Sequence, residues 1–147
     1  MTALPNELRH VLIPTDGTQS SITAGELALK WSSMQMAHIT FVYVVDTAVA
    51  RSMAIASRKT EQHMREELEL NGQHYLDYLM TKAEEAGLKS DKVIRHGVPY
   101  VEITTLAREV GAELIVIAQN SGTRQHLIGS VTQRVIEIAP CPVLVFK

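Results

Sequence analysis

The chain has 147 residues, 46% of them hydrophobic, and a formal net charge of -2, which suits one domain, read here as residues 1–147, with a core of ordinary size. A pI near 6.3 argues against nucleic acid as the main partner, because domains that bind it present a basic face. The apolar runs are strand-length, so no membrane insertion is expected; Cys141 is the lone cysteine, so no internal disulfide can form. The first seven residues lack a basic start followed by an apolar stretch, which leaves the cytoplasm as the expected compartment.

Apolar blocks and helical stretches alternate along the chain. Residues 10–15 form a short buried-type strand, and Thr18 or Ser20 can cap the helix that follows. In that helix Ala24, Leu27, Ala28 and Trp31 fall at i, i+3, i+4 and i+7, the spacing of one face. Residues 38–45 are β-branched and aromatic, the composition of a second strand. Residues 46–57 are less readable, and either a mobile flap beside a ligand site or a poorly packed connector is expected there. A long helix then turns Leu68, Tyr75, Leu76, Leu79 and Ala83 inward, and Gly87 can end it. A third strand runs over residues 91–96. Pro99 suits the first turn of a helix whose stripe is Ile103, Leu106, Ala107 and Val110. Residues 113–118 form a fourth strand, and a loop leads to a last helix and an apolar strand. Five strands separated by four helical segments predict an α/β protein with a parallel sheet. In such sheets ligands bind beyond the carboxyl ends of the strands, where the strand order reverses.

Two loops carry the candidate chemistry. Thr15-Asp16-Gly17-Thr18 follows the first strand directly. Asp16 can accept a hydrogen bond from a ribose or base, or can simply make the turn with Gly17. The second is the glycine-containing stretch 122–132, from Gly122 to Gly129-Ser130-Val131-Thr132. Its glycines let backbone approach a phosphate, its hydroxyls add partners, and the helix that begins at Ser130 adds partial positive charge. Arg124 adds a cation. It is not a Walker loop, because no lysine follows the second glycine. The helical pairs His63/Glu67 and His74/Tyr78 lack a third ligand and read as solvent-facing. His96, ahead of Gly97, reads as a turn residue, and Cys141 as an inert thiol without a cationic neighbour. No nucleophile–base–orienter set emerges, so no enzymatic activity is assigned.

These blocks, in their order and spacing, resemble the universal stress protein family over the whole chain. The resemblance rests on residues 11–18, 42–46, 96–99 and 112–117, on Gly129-Ser130-Val131, and on the last strand with Cys141 and Pro142 before it. It implies a Rossmann-like three-layer α/β/α sandwich whose five parallel strands run in the order 3-2-1-4-5. It also implies a homodimer in which Val143, Leu144, Val145 and Phe146 pair with the same strand of a second copy; an unpaired terminal strand is otherwise an aggregation hazard. Many members bind ATP or AMP. Carried over by position, Pro14, Thr15, Asp16 and Val44 surround the adenine and ribose, and Gly129, Ser130, Val131 and Thr132 hold phosphates. Magnesium would sit on the phosphates of ATP.

The chain departs from the family at the phosphate loop. Nucleotide-binding members show G-x2-G-x9-G-[ST] after the fourth strand. Here Ala118 and Ser121 occupy the first two glycine positions, Gly122 can stand in after a local shift, and the loop is two residues shorter. A side chain at a position that needs positive φ brings strain of about 1–2 kcal/mol. The expectation is AMP, or ATP held weakly, as a regulatory ligand in a stress response. The alternative is a nucleotide-free dimer of the same family that acts as a scaffold for a protein partner.

Overall fold

The computed structural model describes residues 8–33, 36–119 and 127–147. In chain order the elements are β1 (His10–Thr15), α1 (Gln19–Ser33), β2 (His38–Asp46), α2 (Thr47–Ser57), α3 (Glu61–Glu85), β3 (Ser90–Gly97), α4 (Pro99–Val110), β4 (Leu114–Ala118), α5 (Ser130–Ile138) and β5 (Val143–Phe146). The strands form one parallel sheet of order β3-β2-β1-β4-β5. The order reverses at β1, which lies between β2 and β4, and that is where Asp16 and the start of α5 meet.

Period-two alternation sorts the strand side chains onto two faces. Val11, Ile13, Ile39, Phe41 and Val116 pack against α1 and α3, through Ala28 and Leu29 of α1 and Leu76, Leu79 and Ala83 of α3. Leu12, Val42, Ile115 and Ile117 pack on the other face against Ile103, Leu106 and Ala107 of α4 and Val135 of α5. The strands are therefore apolar on both sides, as a doubly covered parallel sheet requires.

Two expectations change. Among the described side chains of α1 the buried positions are Ser21, Ala24, Gly25, Ala28 and Leu29, while Leu27 is 40% exposed. The inward stripe is thus rotated from the one that spacing alone suggested. Small residues on this face, rather than the large Leu27, bring the helix close to the sheet.

The second change concerns residues 46–57, expected as a flap, of which Thr47–Ser57 form the regular helix α2 and raise the helix count among the described residues to five. Asp46 ends β2 and caps α2 at once: its carboxylate accepts from the amides of Ala48, at 3.0 Å, and Val49, at 3.3 Å. Ala50 and Ala54 then bury against Met64 of α3, and Arg58 closes the helix in the left-handed region at φ 57°. Losing an N-cap carboxylate costs about 1 kcal/mol. Asp46→Ala is therefore expected to lower the unfolding free energy read from chemical denaturation by that amount and to speed amide exchange at residues 48 and 49.

Candidate functional site

β1 hands the chain to α1 through a turn held by its own side chains. Asp16 Oδ1 accepts from the Thr18 amide at 2.9 Å and from the Thr18 hydroxyl at 2.7 Å. Thr18, not Ser20, caps α1, since its Oγ1 accepts from the Ser21 amide at 3.3 Å. The Thr15 and Ser21 hydroxyls meet at 3.0 Å in the interior below. Gly17 adopts φ +81°, and a Cβ built there would lie 2.4 Å from the Tyr75 ring of α3. Only glycine admits both the backbone angle and that approach.

Beyond this turn the carboxyl ends of β1, β2 and β4 enclose a cavity of about 370 Å³. Pro14, Thr15, Asp16 and Val44 line it on one side; Ala118, Gly129, Ser130, Val131 and Thr132 line it on the other. Ser121 and Gly122, with Arg124, lie outside the described residues. The walls also include Tyr43, Val49, Leu68 and Ile103, which sequence reasoning did not single out for the site, together with Asp46 and Pro99 from the strand ends where a ligand was expected. Val49 and Leu68 come from α2 and α3, so the helix read as a flap forms part of the cavity wall.

Two features of the backbone make the cavity polar where it needs to be. β1 stops at Thr15, opposite Tyr43, while β2 continues along β3 through Asp46. Residues 44–46 therefore have a strand on one side only, and peptide groups left without a strand partner can meet a planar heterocycle edge-on. The second feature is the start of α5. Asp46 and Thr18 cap α2 and α1 with side chains, and Pro99 at the first turn of α4 has no N–H to offer. Gly129 at the N-cap of α5 makes no side-chain cap. Its own amide is taken by the Gln119 carbonyl at 2.8 Å, which leaves the amides of Ser130, Val131 and Thr132 as the first orphan donors of the helix.

One assigned hydroxyl is otherwise engaged. Thr132 Oγ1 donates to the Ala118 carbonyl at 2.8 Å in a buried contact. It ties α5 to the end of β4, so Thr132 offers a ligand its amide and not its hydroxyl. Ala118 sits in β4 and is not among the positive-φ residues. Its methyl therefore brings no backbone strain, and the cost foreseen for a side chain at that position does not arise.

Burial, then the Asp16 charge and Tyr75, push the Tyr43 phenol up from its ordinary value, so Tyr43 remains an O–H donor at neutral pH. Burial likewise raises the Cys141 thiol, against a weaker opposing contribution from the Ile115 backbone hydrogen bond. His63 meets Glu67 at 2.9 Å on an exposed helix face. His96 lies in β3 rather than in a turn and meets Glu69 at 3.2 Å. Among the described residues no group of three His, Cys, Asp or Glu side chains could hold a metal ion, and no helix is long and apolar enough to cross a membrane.

A model of the universal stress protein family matches residues 7–147. The chain belongs to that family. A universal stress protein of Methanocaldococcus jannaschii, MJ0531, is 35% identical over 144 residues, covering 97% of this chain and 84% of the relative. Among solved structures, the hypothetical protein MJ0577 superposes with a TM-score of 0.82 at 23% identity, covering 95% of this chain and 96% of the other. Two further universal stress protein structures share the fold. One, from Archaeoglobus fulgidus, is a complex with dAMP (TM-score 0.69, 18% identity, 95% of this chain and 98% of the other). The other is a complex with cAMP (TM-score 0.68, 22% identity, 96% and 98%). At these identities the structural neighbours establish the Rossmann-like architecture of the family member described here.

Proposed function

We propose that this universal stress protein binds an adenine nucleotide, AMP in preference to ATP, as a regulatory ligand in the crevice between β1 and β4. The observation that carries the reading is the meeting of Asp16 with the uncapped start of α5 across one cavity. Pro14, Thr15 and Val44 would hold the base and Asp16 the ribose, with the open backbone of residues 44–46 reading the heterocycle. The Ser130, Val131 and Thr132 amides would take the phosphate. The family neighbours that hold dAMP and cAMP support a monophosphate. A cavity of about 370 Å³ is of the size that encloses one small ligand. Magnesium, where ATP binds, would ride on its phosphates.

Titration calorimetry tests this. AMP is expected to bind more tightly than ATP, and no heat from either at millimolar concentration would remove the nucleotide reading. Ser121 and the short loop favour the second reading, a nucleotide-free dimeric scaffold. In either case residues 1–147 act as one cytoplasmic domain. Among the described residues β5 pairs with β4 alone, and Leu144 is exposed, which supports a homodimer through Val143, Leu144, Val145 and Phe146. Sedimentation at micromolar concentration checks it, a monomer being the outcome that sinks it.

A further inference from the structure

The opposite end of the sheet carries a cluster that the nucleotide reading does not use. His10 begins β1, His38 begins β2 with Thr40 two residues on, and Asp91 is the second residue of β3, all on the face that carries Leu12 and Val42. Thr40 is fully buried, and its hydroxyl donates to Asp91 Oδ1 at 2.7 Å. That hydroxyl has one proton, so His10 Nε2, at 2.7 Å from Thr40 Oγ1, must be the donor in its own contact. His38 Nε2 meets the same Asp91 oxygen at 3.2 Å and must donate as well. The donor directions are thereby closed: both Nε2 atoms carry a hydrogen, His10 donates to the Thr40 hydroxyl, and that hydroxyl and His38 donate to Asp91.

The two rings lie 4.9 Å apart, centroid to centroid. His10 and His38 are also the first register pair of β1 with β2, and the His38 amide donates to the Arg9 carbonyl at 2.9 Å. Glu113, ahead of β4, accepts from the Arg9 and His10 amides at 2.6 and 3.1 Å. α4 covers this face, but Arg108 turns to the Ile138 carbonyl and Glu109 pairs with Arg95. Among the described residues the charges that face His10 are therefore His38, Asp91 and Glu113.

We propose that the His10–Thr40–Asp91–His38 chain is an acid-responsive latch, which loosens the amino-terminal rungs of β1 and β2 when both imidazoles carry a proton. One added proton leaves a cation beside Asp91. The second sets two cations side by side at the first rung, where separation of the strand ends relieves them. The exposure of His38 and Asp91, 39% and 55%, gives solvent protons access. Burial first, and the His38 imidazole second, hold His10 below its ordinary value of 6.5, against the opposing pull of Asp91 and Glu113. The unfolded chain thus binds that proton more readily than the folded one. The stability at stake is fully present above 6.5 and is lost as pH falls through the lowered value of the folded state.

The test is amide exchange of the full chain between about pH 7.5 and about pH 5, expressed as protection relative to the intrinsic rate. Protection at Arg9, His10 and His38 is expected to fall on acidification, while protection in β4 is kept. His38→Gln, which retains a donor to Asp91 but no titrating charge, is expected to abolish the fall. His10→Gln supplies the same arm should the first variant fail to fold. Imidazole NMR of the unmodified chain must place the His10 transition in the pH range where these amides lose protection. Constant protection, a fall shared by both variants, or a His10 transition without amide change would each overturn the latch.

Discussion

Gly17→Ala is expected to destabilise the protein by about 2–5 kcal/mol and to weaken AMP binding with it. Gly17 sits at φ +81°, where a Cβ costs about 1–2 kcal/mol. The new methyl also meets Tyr75 Cε2 at 2.4 Å, and an overpacked contact costs about 1–3 kcal/mol. Gly87 separates the two contributions. It has φ +75° with nothing within 4 Å of a built Cβ, so Gly87→Ala should carry the backbone cost alone. Tyr75→Ala in the Gly17→Ala background should recover the contact cost, a coupling that a double-mutant cycle reads directly. The functional loss follows from position. Asp16 precedes Gly17, and its carboxylate is held by Thr18 across that residue, so a turn displaced at Gly17 carries Asp16 out of the crevice. Urea midpoints and calorimetry on the same samples check both halves; equal costs at Gly17 and Gly87 would remove the role given to Tyr75.

The strands were legible because β-branched runs such as residues 38–45 have few alternative uses, and their burial on both faces follows from the same composition. Their order came from the family resemblance, since periodicity alone does not say which strands are neighbours. α2 escaped because its small residues give no strong stripe and its cap, Asp46, is also the last residue of a strand. Local signals for the strand end and the helix start fell on one residue. In the crevice, Asp16 was legible because it directly follows β1 at the reversal of strand order and Gly129 because it opens the last helix, whereas the places of Pro14 and Val44 came from the family resemblance. Val49 and Leu68 were not, because helical spacing names a buried face without naming what it faces. The engagement of the Thr132 hydroxyl by Ala118 is likewise a tertiary contact between residues fourteen apart, and no local pattern announces it. The same holds for Tyr75. A glycine in a turn is readable, but the ring that fills the space above it belongs to another helix.

Ser130→Glu separates the phosphate site from the fold more sharply than any deletion. Ser130 is exposed at the first position of α5, after an N-cap that supplies no side chain. A carboxylate there interacts favourably with the helix dipole, by about 0.3–1 kcal/mol, so the variant should fold as well as the parent or slightly better. The same carboxylate would occupy the positive end on which the proposed nucleotide phosphate depends. Two like unit charges 4 Å apart repel by about 4 kcal/mol at an effective dielectric of 20, and each 1.4 kcal/mol is about tenfold in affinity. Solvent in the open mouth reduces that repulsion, and a loss of AMP affinity of at least about 100-fold remains the expected result. Adenosine, which lacks the phosphate, should bind parent and variant alike, because Pro14, Thr15, Asp16 and Val44 are untouched. Calorimetry with AMP and adenosine, beside a thermal melt, reads all three expectations. AMP bound equally by both proteins would move the anion away from α5. Adenosine lost together with AMP would mean that the substitution disturbed the crevice itself rather than its charge.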